Sequence, residues 1–355
     1  MKVAIIGAGL AGTSLAYVLA QNGVEAEIYE AGDHVASGAS GNNLGLINPR
    51  ISAHRTAESD FFSAAFALGV RSFRQMSAAG ADIEWNEAGA LHLIMNEKRD
   101  KQCRQTVDNW GWAQESMRRV RAAEASDIAG IDIAHECLYL PEAGSVSPQK
   151  LCAFYARGIT VHLNHAISNL SDIEADVIIL ACGAGALKFS EAAWLPLSTV
   201  RGQVSNIHAT PLTQNLKAHL CYSGHLSAPL HGQHMVGSTF QRWLETCDAV
   251  DEDDQENLDK LCEAIPALAQ EQFEVRSHRA GLRTASKDYF PVTGKLPQEV
   301  SEHNNIYVST AHGSYGIISS LMSAHLLTDM ILGRPHCLPN PIIKALSPRR
   351  FYDRD

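Results

Sequence analysis

The strongest chemical signal is Gly7-Ala8-Gly9-Leu10-Ala11-Gly12, a G-x-G-x-x-G run near the start of the chain. Gly7 permits a tight turn, Gly9 lets backbone approach a pyrophosphate seated on a helix N-terminus, and Gly12 lets helix and strand pack closely. Glu30 follows at the spacing of a carboxylate that accepts hydrogen bonds from a ribose diol. This is the chemistry of a bound dinucleotide. NAD and FAD sites share it, so the run alone leaves the choice between them open. Metal and thiol chemistry have no comparable signal. The eight cysteines are scattered without a C-x-x-C pair and read as reduced, mostly buried thiols, and the sixteen histidines show no ligand spacing. No catalytic triad is assigned.

The elements that must position these residues follow from periodicity. An apolar, β-branched strand over 2–6 leads into the glycine turn, a helix over 13–22 and an alternating strand over 26–29, which together make one βαβ unit. Residues 32–48 are rich in Gly, Ser and Asn and read as a loop over something that backbone must approach closely. Helices are expected over 60–79, 96–125, 147–156, 252–262 and 317–332. Strands are expected within 83–95 and over 159–163, 166–170, 200–207, 220–222, 235–238 and 306–309. The continuous apolar run 177–182, ending at Gly183, has the form of a parallel strand buried on both faces. The fold class is therefore α/β: a Rossmann-type nucleotide-binding lobe with a second, mainly antiparallel β-sheet-plus-helix lobe for substrate. We expect the first lobe to comprise 1–82, 140–195 and 284–355, and the second 83–139 and 196–283.

With 355 residues, 45% hydrophobic and 19% charged, the chain is long enough for two lobes. Its formal net charge of -10 argues against a broadly basic surface of the kind that binds phosphate backbones. Local basic patches are still candidates at Lys98, Arg99 and Lys101, at Arg118, Arg119 and Arg121, and in the tail at Arg349, Arg350 and Arg354. The apolar runs are too short for a membrane helix, and the start lacks the order of a signal peptide, so a cytoplasmic location is expected.

Further motifs decide the cofactor. Gly38-Ala39-Ser40-Gly41-Asn42 resembles the loop with which the D-amino-acid-oxidase-like (DAO) family of flavoproteins wraps pyrophosphate and flavin. His312-Gly313-Ser314-Tyr315-Gly316, before an apolar helix, resembles that family's last flavin contact, where a helix N-terminus stabilises the negative charge of the reduced ring. The resemblance implies FAD, held by Gly7, Gly9, Leu10, Ala11, Gly12 and Glu30, by Ala39, Ser40, Gly41, Asn42 and Leu44, by Ala166, Ile167, Ala181 and Gly183, and by Gly313, Ser314, Tyr315, Gly316 and Ile317. Residues 280–294, opening Ala280-Gly281-Leu282-Arg283, are similar to the segment of glycine and sarcosine oxidases in which the arginine holds the substrate carboxylate. Guanidinium suits that task as a planar, always charged, two-pronged donor. Arg283 is the residue so implied, with His312 and Tyr315 as candidate groups near the flavin edge and an inter-lobe salt bridge as the structural alternative for Arg283. Arg50 and Arg201 are weaker candidates for the carboxylate or nucleotide and are expected to serve packing between lobes.

A closer resemblance covers nearly the whole chain. Residues 38–45, 48–50, 200–205, 220–222, 237–240, 252–258 and Leu346-Ser347-Pro348-Arg349-Arg350, in that order, are similar to the oxidoreductase half of the bifunctional tRNA 5-methylaminomethyl-2-thiouridine biosynthesis (MnmC) family. That resemblance implies oxidative removal of the carboxymethyl group from 5-carboxymethylaminomethyl-(2-thio)uridine at the tRNA wobble position, giving glyoxylate and the 5-aminomethyl nucleoside. The chain starts at the glycine run with no methyltransferase segment before it, so methylation of the product is expected to need a separate tRNA methyltransferase. Two other readings are a small-molecule amine oxidase of the glycine or sarcosine type, and a non-catalytic, flavin-stabilised tRNA-binding protein.

Overall fold

The computed structural model describes residues 1–50, 52–300 and 305–352. Among these residues a six-stranded sheet runs in the order Val292–Lys295, Ile306–Thr310, Val177–Leu180, Val3–Ile6, Ala26–Tyr29 and Thr160–His162. It is parallel except for the antiparallel pair Val292–Lys295 with Ile306–Thr310. Alternation divides its central strands between two cores. Val3, Ile5 and Ile179 face one hydrophobic cluster, while Ala4, Ile6, Ile178 and Leu180 face another. That two-sided burial is why these strands read as unbroken apolar runs. Helix Leu10–Gln21 packs on this sheet beside helices Pro148–Tyr155 and Gly316–Ile331.

A second, eight-stranded sheet has the order Val275–Ser286, Leu197–His208, Gln233–Gly237, His225–Leu226, His219–Cys221, Ala90–Leu93, Cys137–Leu140 and Arg118–Val120. Every pairing is antiparallel except His219–Cys221 with Ala90–Leu93. Two strands run through the lobe limits expected from sequence: Cys137–Leu140 across 139/140 and Val275–Ser286 across 283/284. Helix Asp251–Ala264 lies against the Leu197–His208 strand.

Three local expectations are corrected. The helix expected over 96–125 stops at Trp110, where Gly111 takes a left-handed conformation (φ 58°) and caps the helix. Arg118–Val120 is instead a strand on Cys137–Leu140, followed by the short helix Ala122–Ala129. Residues 166–170 form no strand, because the sheet ends at Thr160–His162; beyond it Asn164 and His165 donate their N–H groups to the carbonyls of Gly32 and Glu30, holding the segment against the Glu30 turn. The expected 32–48 loop contains one short strand, Gly45–Ile47, paired with Gly144–Val146.

Candidate functional site

Between the two sheets lies a cavity of about 870 Å³. At one part of its lining the glycine turn is built as the spacing demands. Gly7 sits at φ +108°, and a Cβ on Gly12 would stand 1.9 Å from the Gly7 carbonyl oxygen, so only glycine allows this strand and helix to meet. A Cβ on Gly9 would come 3.0 Å from Ser40 Oγ, the hydroxyl that accepts the Leu10 N–H at 3.0 Å. The start of the helix and the 38–42 loop thus form one cradle. Glu30 closes it: Oε2 accepts the Ala8 N–H at 2.7 Å, and Oε1 accepts from the Gly32 N–H at 2.8 Å and the Ser37 hydroxyl at 3.1 Å. Each carboxylate oxygen has two lone pairs, so Oε2 keeps one for a ribose hydroxyl.

The residues singled out from sequence converge on this cavity. Gly7, Gly9, Leu10, Ala11 and Glu30 line it, with Ala39, Ser40, Asn42 and Leu44 from the loop. So do Ala166, Ile167, Ala181 and Gly183, and Gly313 to Ile317. Gly12 and Gly41 stand behind the lining: Gly12 under Gly7, and Gly41 with its Cβ position 2.5 Å from an Arg279 nitrogen and 2.7 Å from the Ala36 carbonyl oxygen. The close glycine approaches, the helix start and the free lone pair on Glu30 fit an FAD.

Arg283 lies on the strand Val275–Ser286 and lines the same cavity. Its Nη2 donates to Ser238 Oγ at 2.6 Å, while Nη1 is buried without a hydrogen-bond partner. Among the described residues no carboxylate lies within ion-pair distance, so the inter-lobe salt bridge is absent. Burial alone pulls the guanidinium below its usual range. A Cβ on Gly202, across the sheet, would stand 2.0 Å from Nη1, so the glycine clears the path of the side chain.

His312 also lines the cavity, but both ring nitrogens are engaged, Nε2 with Ser309 Oγ at 3.1 Å and Nδ1 with Ser319 Oγ at 3.0 Å. Burial lowers its pKa to about 4, so it is neutral and ties the last strand to the final helix. Tyr315 packs 5.1 Å from the Phe62 ring, with the Arg50 guanidinium 5.9 Å from its own ring centroid, and burial raises its phenol. Arg50 donates to the Tyr289 carbonyl at 2.9 Å and lines the cavity. Arg201 does not: it is buried within the second lobe, paired with Asp253 and bonded to Gln241, Gln203 and the Asp248 carbonyl.

Several residues with a part in the site were given no site role in the sequence reading. Arg279 bonds Asn42 Oδ1 at 3.0 Å and the Gly38 carbonyl, clamping the loop from the second lobe. Its signal was available, because Arg279, Gly281 and Arg283 alternate on one strand and so share a face. Tyr222 and His225 line the cavity with the Tyr222 hydroxyl and His225 Nε2 buried and unpartnered. Burial raises the Tyr222 phenol and lowers the His225 pKa to about 4, with the Arg283 charge adding to the second shift. Cys182 and Cys221, also in the lining, are pushed up to about 12 by burial and are inert thiols.

The basic clusters are largely spoken for. Arg118 pairs with Glu124 at 3.1 Å, Arg119 with Asp100 and Glu136, and Arg349 with Glu299 at 3.2 Å. Arg350 clamps Asp288 at 2.8 Å and the Phe290 carbonyl, so it is a structural residue; Arg354 lies outside the described residues. Arg99, by contrast, lines the cavity with no carboxylate within ion-pair distance among the described residues. Asp251, Asp254 and His278 offer ligand atoms within 4.8 Å of one another, but Asp254 is already engaged by Gln203, Ser205 and His278, and none of the three lines the cavity.

A glycine cradle at a parallel sheet, joined through one cavity to an arginine on an antiparallel sheet, defines a flavin-dependent oxidoreductase. The chain belongs to the FAD dependent oxidoreductase (DAO) family, whose model matches residues 2–330. Over 99% of its length it is 31% identical to the tRNA 5-methylaminomethyl-2-thiouridine biosynthesis bifunctional protein MnmC of Azoarcus sp. (strain BH72), and it spans 60% of that protein. Its fold superposes on glycine oxidase from Geobacillus kaustophilus with a TM-score of 0.83, at 20% identity over 97% of both chains. Iminodiacetate oxidase from Chelativorans sp. BNC1 gives 0.79, at 24% identity over 98% of both. Among the described residues no helix is long and apolar enough to cross a membrane.

Proposed function

We propose that the chain oxidises the N-linked glycine arm of 5-carboxymethylaminomethyl-(2-thio)uridine at the wobble position of tRNA, releasing glyoxylate and leaving the 5-aminomethyl nucleoside. The observation that carries this reading is Arg283, a buried guanidinium facing the cavity with a free Nη1 and no carboxylate partner among the described residues. A buried charge without a partner is costly, and a substrate carboxylate supplies the missing one. Tyr222 and His225 offer further unpartnered polar atoms to the same substrate. With its lowered pKa, His225 is neutral near pH 7, one ring nitrogen donating and the other accepting.

Bound against Gly7 to Gly12, the 38–42 loop and the 313–317 turn, the flavin supplies a two-electron acceptor for the C–H bond beside the amine. The protein's own work is positioning. Arg283 fixes the carboxylate, and neutral His312 holds the turn before the last helix. Loss of a hydride, two electrons with one proton, leaves the protonated imine, which water splits into glyoxylate and a primary ammonium group.

The tRNA substrate is supported by the MnmC relatives, of whose length the chain spans 56–60%. A second reading, oxidation of a free glycine-type amino acid, is favoured by the pairing of Arg118, Arg119, Arg349 and Arg350 with carboxylates, which leaves little basic surface there. Nucleoside analysis of tRNA before and after incubation with the holoenzyme, beside free glycine and sarcosine, separates the two. Loss of the carboxymethylaminomethyl nucleoside supports the first; turnover of free amines with unchanged tRNA supports the second.

A further inference from the structure

A second cavity, of about 240 Å³, shares Arg50, Arg283, His312 and Tyr315 with the large one and continues outward to Phe240, Arg242 and Tyr289. The surface there is unusual for an acidic protein. Phe240 is 46% exposed and Tyr289 40%, and Trp243, three residues along the chain from Phe240 and outside the cavity lining, is 74% exposed, which makes these three among the most exposed large apolar side chains of the described residues. The Arg242 guanidinium stands 5.4 Å from the Phe240 ring centroid and 5.1 Å from that of Tyr289, so it bridges the two rings. Neither Arg242 nor Arg50 has a carboxylate within ion-pair distance among the described residues, and Arg50 is tied to Tyr289 through its carbonyl.

We propose that Phe240, Arg242, Trp243 and Tyr289 form a stacking platform for unpaired bases that flank the modified uridine in a single-stranded RNA loop; this rests on the tRNA reading above. Aromatic faces interleaved with guanidinium planes bind splayed bases without regard to sequence, and unpaired cations attract the intervening phosphates. A free amino acid needs no such surface. Continuity of the platform with the Arg283 cavity lets one base enter while its neighbours remain stacked outside.

The test uses the FAD-loaded enzyme and two probes, the free modified nucleoside and an RNA hairpin carrying it in an unpaired loop. In the parent, flavin reduction by the hairpin should outrun that by the nucleoside. Trp243→Ala should lower the hairpin-to-nucleoside ratio of kcat/KM by roughly 5- to 150-fold, the worth of one stacked base. Trp243→Phe should restore most of it, and hairpin binding should quench tryptophan fluorescence in the parent and less in either variant. An unchanged ratio in Trp243→Ala and in Phe240→Ala overturns the platform while leaving the tRNA reading in place, provided the parent prefers the hairpin. No preference in the parent sinks the tRNA reading itself, and the platform with it. Concentration-dependent dimerisation abolished by Trp243→Ala also overturns the proposal, since the patch would then be a contact between copies of this chain.

Discussion

Replacing Arg283 by methionine should make the protein more stable and useless at the same time. The guanidinium is buried, one of its nitrogens has no partner, and its only hydrogen bond to protein that the structure records goes to Ser238. Desolvating such an ion costs several kcal/mol, offset by roughly 1.5–3 kcal/mol for a hydrogen bond from a charged donor. Methionine fills a similar length without the charge, so a net gain of about 1–2 kcal/mol is expected, seen as a Tm increase of roughly 1–1.5 °C per kcal/mol for a chain of 355 residues. The assay is thermal unfolding of the flavin-loaded enzyme with and without glycolate as a carboxylate ligand. Glycolate at a hundredfold excess over Kd should stabilise the parent by about 2.7 kcal/mol and Arg283→Met hardly at all. In turnover, loss of the charge partner should cost roughly 30-fold to several thousand-fold in kcat/KM, about 2–5 kcal/mol, and Arg283→Lys should recover only part. A variant less stable than the parent that still gains from glycolate would refute the reasoning and move the carboxylate elsewhere, with Arg50 next to test.

Three further expectations follow from the geometry. Gly9→Val should fold but lose its yellow colour, because its Cβ direction meets Ser40 in the cradle, whereas Gly12→Ala, set 1.9 Å from a backbone oxygen, should fail to fold; flavin content and circular dichroism distinguish them. Stability should fall as pH drops from 6.5 towards 4, because the unfolded chain takes up protons that His92, His225 and His312, each lowered to about 4 by burial, refuse; depressed folded-state values mean this contribution is complete above 6.5. His312→Asn should flatten that slope by up to about 1.4 kcal/mol per pH unit in denaturant titrations, and an unchanged slope would mean the imidazole already protonates in the fold. For RNA binding, Arg50→Ala and Arg99→Ala should each reduce the log-log salt slope by about 1, while Arg350→Ala should lower Tm and leave the slope alone.

The nucleotide half of the molecule was legible because its determinants are local. A glycine run fixes a turn within a few residues, and strands buried on both faces announce themselves as apolar runs. Where sequence reading failed, the deciding contact was distant or conformational. Nothing in the polar composition of 96–125 says that Gly111 turns left-handed and ends the helix, or that Arg118–Val120 finds a strand partner at Cys137–Leu140. Residues 166–170 look like a strand but fall beyond the sheet's last position. The basic clusters misled for the same reason: Arg119 and Arg350 sit among cations in sequence yet meet Asp100, Glu136 and Asp288 in space. Tyr222 and His225 were out of reach altogether, since an unpartnered polar atom exists only once the cavity does.

Two arginines on neighbouring strands show how the sheet sorts structure from chemistry. In the antiparallel register Val200 stands opposite Arg283, and Arg201 opposite Leu282. Directly opposed residues share a face and successive ones alternate, so Arg201 and Arg283 point to opposite sides of one sheet. Arg201 points towards the helix Asp251–Ala264, whose Asp253 it pairs with, and it is only 1% exposed. Arg283 lines the cavity, where among the described residues its hydrogen-bond partner is Ser238 and no carboxylate lies within ion-pair distance. The residue type is the same and so is the local β-structure. What differs is whether the protein furnishes the counter-charge, and a slip of one residue in this register would turn both arginines to the same side of the sheet. An acidic chain neutralises arginines it uses for structure, such as Arg201, and leaves Arg283 beside its cavity without a carboxylate partner among the described residues.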